Sequence, residues 1–290
     1  MIAFYSFRKK SYLISLFLII LTTSIIFFKG LNLGIDFKGG LNIEVETTLS
    51  NAELSSFIRD LDLNREFIIK KEIGSDIFSI RIESGKDNAN FIEEFISLIK
   101  QNSSIEILIS EYIEPTFSDE LIKNSLYALA SSLIVIAFYV WIRFDWQFAI
   151  SGIVALLHDV YISMGFMSLF NIEFNLTMIA ALLLIAGYSI NDTIVLFDRV
   201  RSITSAENNK DTFENNVNYS VKLNLRRTIL TSFTTILALL CLVVLAPINL
   251  TEMPIVFIFG VIIGTYSSIF IALGLVGDLN YEAVLKARDS

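Results

Sequence analysis

The chain has 290 residues, 54% of them hydrophobic, and a mean hydropathy of +0.63, far above that of an ordinary soluble domain. Three prolines and thirteen glycines argue against a disordered chain, and the single cysteine, Cys241, excludes an intrachain disulfide. The net charge of −8 belongs to one segment: residues 29–123 hold ten Lys/Arg and eighteen Asp/Glu, while the rest of the chain balances twelve against twelve.

Six apolar runs are long enough to cross a bilayer as helices: Ser11–Phe28, Asn124–Ile142, Trp146–Phe170, Leu176–Phe197, Thr228–Leu245 and Pro254–Val276. The fold class expected is therefore an α-helical polytopic membrane protein with six transmembrane helices. The first run follows Arg8-Lys9-Lys10 and has no small-x-small site at its end, so it reads as an uncleaved anchor. Lys and Arg concentrate before the first span and at Arg143. They recur at Arg199, Arg201, Lys210, Lys222, Arg226 and Arg227, then at Lys286 and Arg288. The alternate short loops, Asn171–Asn175 and Ala246–Met253, have none and carry Glu173 and Glu252. The positive-inside rule then puts both termini in the cytoplasm and residues 29–123 outside.

The domains expected in order are 1–30, a cytoplasmic N-terminus and first span; 31–120, an extracytoplasmic domain; 121–277, spans two to six with a cytoplasmic loop at 198–227; and 278–290, a cytoplasmic C-terminus. Between the first span and the domain lies Gly34-Ile-Asp-Phe-Lys-Gly-Gly40. Gly39 and Gly40 permit positive φ and close backbone approach, and Asp36 is placed to cap a helix or tie the domain to the membrane edge. In the domain, Leu41, Ile43 and Val45 alternate with polar residues as in a half-buried strand. Ser50-Asn-Ala-Glu53 is a capping box opening a helix through Leu61. Phe67–Ile73 and Ile77–Ile82 read as strands around a Gly74-Ser-Asp turn. Asp87 or Asn88 caps a helix through Lys100, and Ile105, Ile107 and Ile109 mark a last strand. The order βαββαβ predicts a small α+β ferredoxin-like domain. It has no Gly-rich phosphate loop and no His or Cys for a metal.

The membrane part carries charge where lipid would penalise it. Asp192 lies inside the fourth run, where an ionisable group costs about 2.5–3.5 kcal/mol unless compensated. At helical spacing Tyr188, Asp192 and Arg199 fall near one face with Ser189 beside them. In the third run, His158-Asp159 lies about 18 Å from the cytoplasmic edge, twelve residues at about 1.5 Å each. Asp159 reads either as a buried helix contact or as part of a proton path. Phe213, Val217, Val221 and Leu225 recur every four residues and predict an amphipathic helix leading into the fifth span. There Arg227 is either an interfacial anchor or a counter-charge for Asp192. Gly260 and Gly264 offer a close-packing face in the sixth span.

These residues resemble the SecD/SecF family of bacterial protein-export membrane subunits over essentially the whole length. Gly34-Ile-Asp-Phe-Lys-Gly-Gly40 is similar to its motif after the first span, with Lys38 where Thr or Ser is more usual. His158-Asp-Val160 resembles the third span, and Gly187-Tyr-Ser-Ile-Asn-Asp-Thr193 with Phe197-Asp-Arg199 the fourth. Asn218-x-Ser220, Arg227-Thr228 and Thr231-Ser-x-Thr-Thr235 resemble the fifth, with Asn224 where Thr is common. Tyr266-Ser-Ser-Ile269 resembles the sixth.

The resemblance implies a six-span half of the resistance-nodulation-division architecture in the bacterial inner membrane, paired with a SecD-like subunit. It implies use of proton motive force in late, ATP-independent movement of unfolded exported polypeptides leaving the Sec translocon channel. Asp192 and Arg227 would carry the proton pathway, with Asp159 a further candidate. Tyr188, Ser189, Asn191, Thr193, Asp198 and Arg199 would form the supporting polar face, and Gly34, Asp36, Gly39 and Gly40 a structural motif. Membrane lipid is the surrounding partner. No catalytic residue, cofactor, metal or nucleic acid is expected. The competing classes are a proton-coupled exporter half of the same architecture, an intramembrane aspartyl protease using Asp159 and Asp192, and an assembly scaffold.

Overall fold

The computed structural model describes residues 4–61, 67–71, 75–83, 88–206, 211–245 and 248–279. Expectations at Ile73, Gly74, Asp87, Lys210, Lys286 and Arg288 lie outside the described residues. The described elements are α1 (Arg8–Lys29), α2 (Ile35–Lys38), β1 (Gly40–Thr47), α3 (Asn51–Asp60), β2 (Phe67–Lys71), β3 (Ile77–Glu83), α4 (Asn88–Gln101), β4 (Ile105–Ile113), α5 (Pro115–Arg143), α6 (Trp146–Leu169), α7 (Leu176–Thr204), α8 (Phe213–Leu245), α9 (Ile248–Ser267), a π-helical turn (Ser268–Ala272) and α10 (Leu273–Asp278).

Among the described residues, six helices are long and apolar enough to cross a membrane, the last being α9, the π turn and α10 in one continuous run. The expected spans are all present, and several extend beyond their apolar cores. α5 starts at Pro115, where a missing N–H costs the first turn nothing. α7 continues seven residues past Phe197, and the amphipathic stretch at Phe213 is continuous with the fifth span in one helix of 33 residues. Hydropathy finds only the lipid-soluble part of a helix. The rest is held by packing: Phe213, Val217 and Val221 are buried in the same core as the spans.

The six spans are not equivalent. About three fifths of the apolar window is buried in α6 and α7, against about a sixth or less in α1, α5 and α8. α6 and α7 therefore form the centre of the bundle, with α9 packed on both. Small residues permit this approach. A methyl on Gly264 would meet Ser189 Cβ at 3.0 Å, and one on Gly260 would meet Ile185 Cγ1 at 2.3 Å, so the glycine face of the last span packs on α7.

Outside the spans, four antiparallel strands form one sheet in the order β2-β3-β1-β4. Period-2 alternation sends Leu41, Ile43, Val45, Phe78, Ile80 and Ile82 to one face, where they meet Leu54 and Ile58 of α3 and Phe95 and Ile99 of α4 in a separate hydrophobic core. The capping box forms as its sequence predicts: Ser50 Oγ accepts from the Glu53 N–H, and the Ser50 N–H donates to the Glu53 carboxylate at 2.8 Å. Gly40 has φ +157°, and a Cβ there would come within 2.4 Å of the Ile82 carbonyl oxygen, so β1 pairs with β3 at this point only through glycine.

The same alternation turns Lys70 of β2 and Arg81 of β3 to the opposite face of the sheet, toward the loop between α6 and α7 and the start of α9. Arg81 pairs with Glu173, and Lys70 lies 3.2 Å from Glu173 and 2.7 Å from Glu252. Glu173 is only 4% exposed. A second tie runs through the connecting segment. The Gly34 N–H donates to the Phe174 carbonyl at 2.9 Å, and the Phe174 N–H donates to the Asn32 carbonyl at 2.7 Å. The Asp36 carboxylate accepts from the Leu176 N–H at 3.0 Å, satisfying one of the free N–H groups at the start of α7.

Candidate functional site

The centre of the bundle is organised around Asp159. Its side chain is fully buried on α6. Oδ2 accepts hydrogen bonds from Ser189 Oγ of α7 and Ser267 Oγ of α9, both at 2.6 Å, and Oδ1 lies 2.9 Å from His158 Nδ1. One carboxylate thus gathers donors from three spans. Ser163, one turn on, returns its hydroxyl to the Asp159 carbonyl at 2.7 Å.

A second layer lies beside it. Thr193 Oγ1 and Ser268 Oγ are 2.8 Å apart, and Ser268 Oγ donates to the Gly264 carbonyl at 2.8 Å. Ser267 and Ser268 sit where α9 gives way to the π turn, a distortion that re-aims side chains within a helix and is common at functional sites. Tyr188 donates to Ser232 of α8 at 3.2 Å, and Ser232 is 2.8 Å from Thr265, which extends the hydroxyl network to the fifth span.

Asp192 has a different environment. It is 7% exposed, and its Oδ2 is buried with no hydrogen-bond partner among the described residues. The charge that acts on it is that of Arg227, whose own side chain is exposed. The centre of the bundle thus holds one aspartate with three hydrogen-bond partners and another with an oxygen left open.

The expected polar face of the fourth span divides. Ser189, Asp192 and Thr193 turn inward and Tyr188 is half-buried, while Asn191, Asp198 and Arg199 are exposed. Arg199 therefore does not share the buried position of Asp192. Seven residues is nearly two turns, so the two share a face of α7, but only Asp192 is covered there, while Phe197 and Val200 keep another face of the helix in the core. Asp198 pairs instead with Arg143 at 3.1 Å and Arg201 at 3.2 Å. Asn191 shares its exposed side of α7 with Leu184 and Gly187, and a methyl on Gly187 would meet nothing within 4 Å among the described residues.

Sequence reasoning did not pick out Ser267 as a partner of Asp159, because its signal was only a match to a motif in the sixth span. Nor did it anticipate the Arg81–Glu173–Lys70–Glu252 cluster, whose acids stood out only as the sole charges in two short loops.

The geometry defines a class: a multi-pass membrane protein with a small αβ domain on one side and buried carboxylates at its centre. Residues 94–282 match the family described as "Protein export membrane protein SecD/SecF, C-terminal", and residues 24–48 match the "SecD/SecF GG Motif". The protein translocase subunit SecF of Rhodothermus marinus is 36% identical, over 98% of this chain and 95% of the relative. That of Sebaldella termitidis is 35% identical, over 93% of this chain and 89% of the relative. The crystal structure of SecDF from Thermus thermophilus, a translocon-associated membrane protein, superposes with a TM-score of 0.84 at 33% identity, covering 96% of this chain. A second SecDF structure, in a super-membrane-facing form, gives 0.71 at 30% identity and 99% coverage. This chain spans only 38% and 40% of those two SecDF chains.

The chain belongs to the SecD/SecF family of protein-export membrane proteins. It is a multi-pass protein of the bacterial inner membrane with a SecD/SecF-type role in protein export.

Proposed function

We propose that this chain works as the SecF-type half of a proton-driven export device, paired with a SecD-like subunit. Proton motive force would assist the late, ATP-independent passage of unfolded polypeptides from the Sec translocon channel. Both termini would be cytoplasmic and the αβ domain extracytoplasmic, as the distribution of Lys and Arg among short loops supports. The strand order β2-β3-β1-β4 with two helices on one face supports a ferredoxin-like reading of that domain.

One observation carries the proton reading: the buried Asp192 oxygen without a hydrogen-bond partner, with the Arg227 charge acting on the same carboxyl. Desolvation favours the neutral acid, and a guanidinium favours the ionised one. A carboxyl held between these opposing effects changes protonation when the helices shift by small amounts. The membrane potential supplies about 2.3 kcal/mol per elementary charge per 100 mV, enough to bias two conformations more than tenfold per proton. Asp159 is better suited to a positioning role, because both its oxygens already have partners, from three spans. The exposed polar side of α7 at Gly187 and Asn191 supports a partner helix there, and so does the extra length of the SecDF chains.

The test is Asp192→Asn, measured as complex yield beside export rate in the same membranes. The amide keeps the volume but cannot titrate, so export stimulation should vanish while yield stays normal. Normal export with Asn at this position would end the proton-carrier reading. A joint fall of yield and export would assign Asp192 to assembly.

A further inference from the structure

At the outer edge of the sheet lies a cleft of about 310 Å³, at the small end of ligand sites. Residues 32–35 and Glu173 line it from the bundle side, Phe67 and Ile68 from β2, and Arg81 and Glu83 from the face of the sheet turned to the bundle. Arg59 lines it as well, although α3 packs on the opposite face through Leu54 and Ile58. The cleft therefore wraps around β2, an edge strand of the sheet. Its charges stand out in a stretch, residues 29–123, with ten Lys/Arg against eighteen Asp/Glu: here Lys38, Arg59 and Arg81 outnumber Glu83 and Glu173. Four of the five are matched, Lys38 with Glu83 at 2.5 Å and Arg81 with Glu173. Arg59 is exposed and has no hydrogen-bond or ionic partner among the described residues.

The chemistry of an occupant follows from these groups. A guanidinium has only donors, in a planar fork that a carboxylate fits bidentately. Beside it, every second residue of β2 turns its N–H and C=O away from β3, and these edge groups have no strand partner among the described residues. An extended chain matches both features, pairing its backbone with the edge and an acidic side chain with the fork. A lipid headgroup fits less well, because Arg59 belongs to the helix layer on the side of the sheet away from the bundle. We propose that this cleft binds an extended acidic stretch of polypeptide, added as a strand beside β2 with one carboxylate on Arg59. The proposal rests on the reading of this chain as a handler of unfolded polypeptides and gives them a contact on the sheet domain.

The test uses the full chain in phosphatidylcholine nanodiscs, without a proton gradient, and a short fluorescent peptide of Thr and Val with one central Glu. Anisotropy should show it binding roughly threefold to tenfold more tightly than the same peptide with Gln, the worth of a partly exposed charged hydrogen bond. In Arg59→Gln that preference should disappear, and in Arg59→Lys part of it should remain. Both substitutions fall at an exposed, unpaired position, so the fold of the domain is kept. The Glu peptide N-methylated at every other position in its chain and at its neighbours cannot pair with a strand edge and should not bind. Equal binding of the Glu and Gln peptides, or a preference that survives Arg59→Gln, would overturn the proposal. Binding of the N-methylated peptide would leave a bare carboxylate site and overturn it too. Displacement by dihexanoyl phosphatidylglycerol but not by the matching phosphatidylcholine would assign the cleft to a lipid headgroup, with the same result. Failure here leaves the Asp192→Asn test standing, because this binding needs no titrating acid in the membrane.

Discussion

Ser189 of α7 donates a 2.6 Å hydrogen bond to the carboxylate of Asp159 on α6, across the centre of the bundle. Ser267 adds a second bond to the same oxygen from the last span. Asp159→Ala would strand the Ser189 hydroxyl and His158 Nδ1, at about 1–3 kcal/mol for each buried group left unpaired, while Ser267 Oγ keeps the Gly264 carbonyl at 3.1 Å. Ser189→Ala or Ser267→Ala alone leaves the carboxylate two of its three partners and should cost much less. Melting of the purified chain checks this, and an Asp159→Ala midpoint no lower than that of Ser189→Ala would contradict the hub.

The glycine face of the last span makes a graded prediction. Gly260→Ala puts a methyl 2.3 Å from Ile185, and such overpacking costs about 1–3 kcal/mol. Gly264→Ala, 3.0 Å from Ser189 Cβ, should disturb the Ser189–Asp159 bond as well. Gly187→Ala meets no atom of the described chain, so it should leave the isolated chain intact or raise its stability by about 1 kcal/mol through helix propensity. If a partner helix lies on that side, complex yield with a SecD-like subunit should fall in Gly187→Leu alone. Equal yields would remove the partner from this face.

The ties between the sheet and the bundle rest on few charges. Glu173→Gln leaves Arg81, whose side chain is 14% exposed, without its partner. Breaking one side of a buried pair costs about 3–5 kcal/mol, and the partial exposure here argues for the lower end. Adding Arg81→Gln should recover part of that loss, because no stranded charge remains. A double-mutant cycle on melting temperature measures the coupling, and strict additivity would mean the pair contributes nothing.

Acid should loosen the first helix of the sheet domain. The Ser50 N–H and hydroxyl hold the exposed Glu53 carboxyl below the usual glutamate range. A lowered native pKa gives stability that is present above the unfolded value and is lost as pH falls through the native one. Amide protection of α3, corrected for intrinsic exchange, should therefore drop on acidification in the native chain and change less in Glu53→Gln. Identical profiles would dismiss the box as a pH-dependent element.

Topology has a direct test. A reporter fused near Asn90 should be active only outside the cytoplasm, and one near Asn208 only inside. The reverse at either site would refute the proposed orientation.

The apolar runs, the alternation of Leu41, Ile43 and Val45, and the Ser50–Glu53 box were legible in the chain because each depends on neighbours in sequence. Lipid solubility, strand pleat and capping are local properties. The site was legible only as residue types. Helical spacing sets the angle between Ser189, Asp192 and Arg199 around α7, but not which way that helix is rotated in the bundle. Contacts of Gly260 and Gly264 with α7 decided the rotation, and with it that Ser189 turns to Asp159 while Asn191 faces outward. Likewise Glu173 and Arg81, 92 residues apart, meet only because the sheet's polar face lies over the loop between α6 and α7. Tertiary packing alone determined which of the two buried aspartates is filled with hydrogen bonds and which is left open, because the serine donors to Asp159 come from other helices.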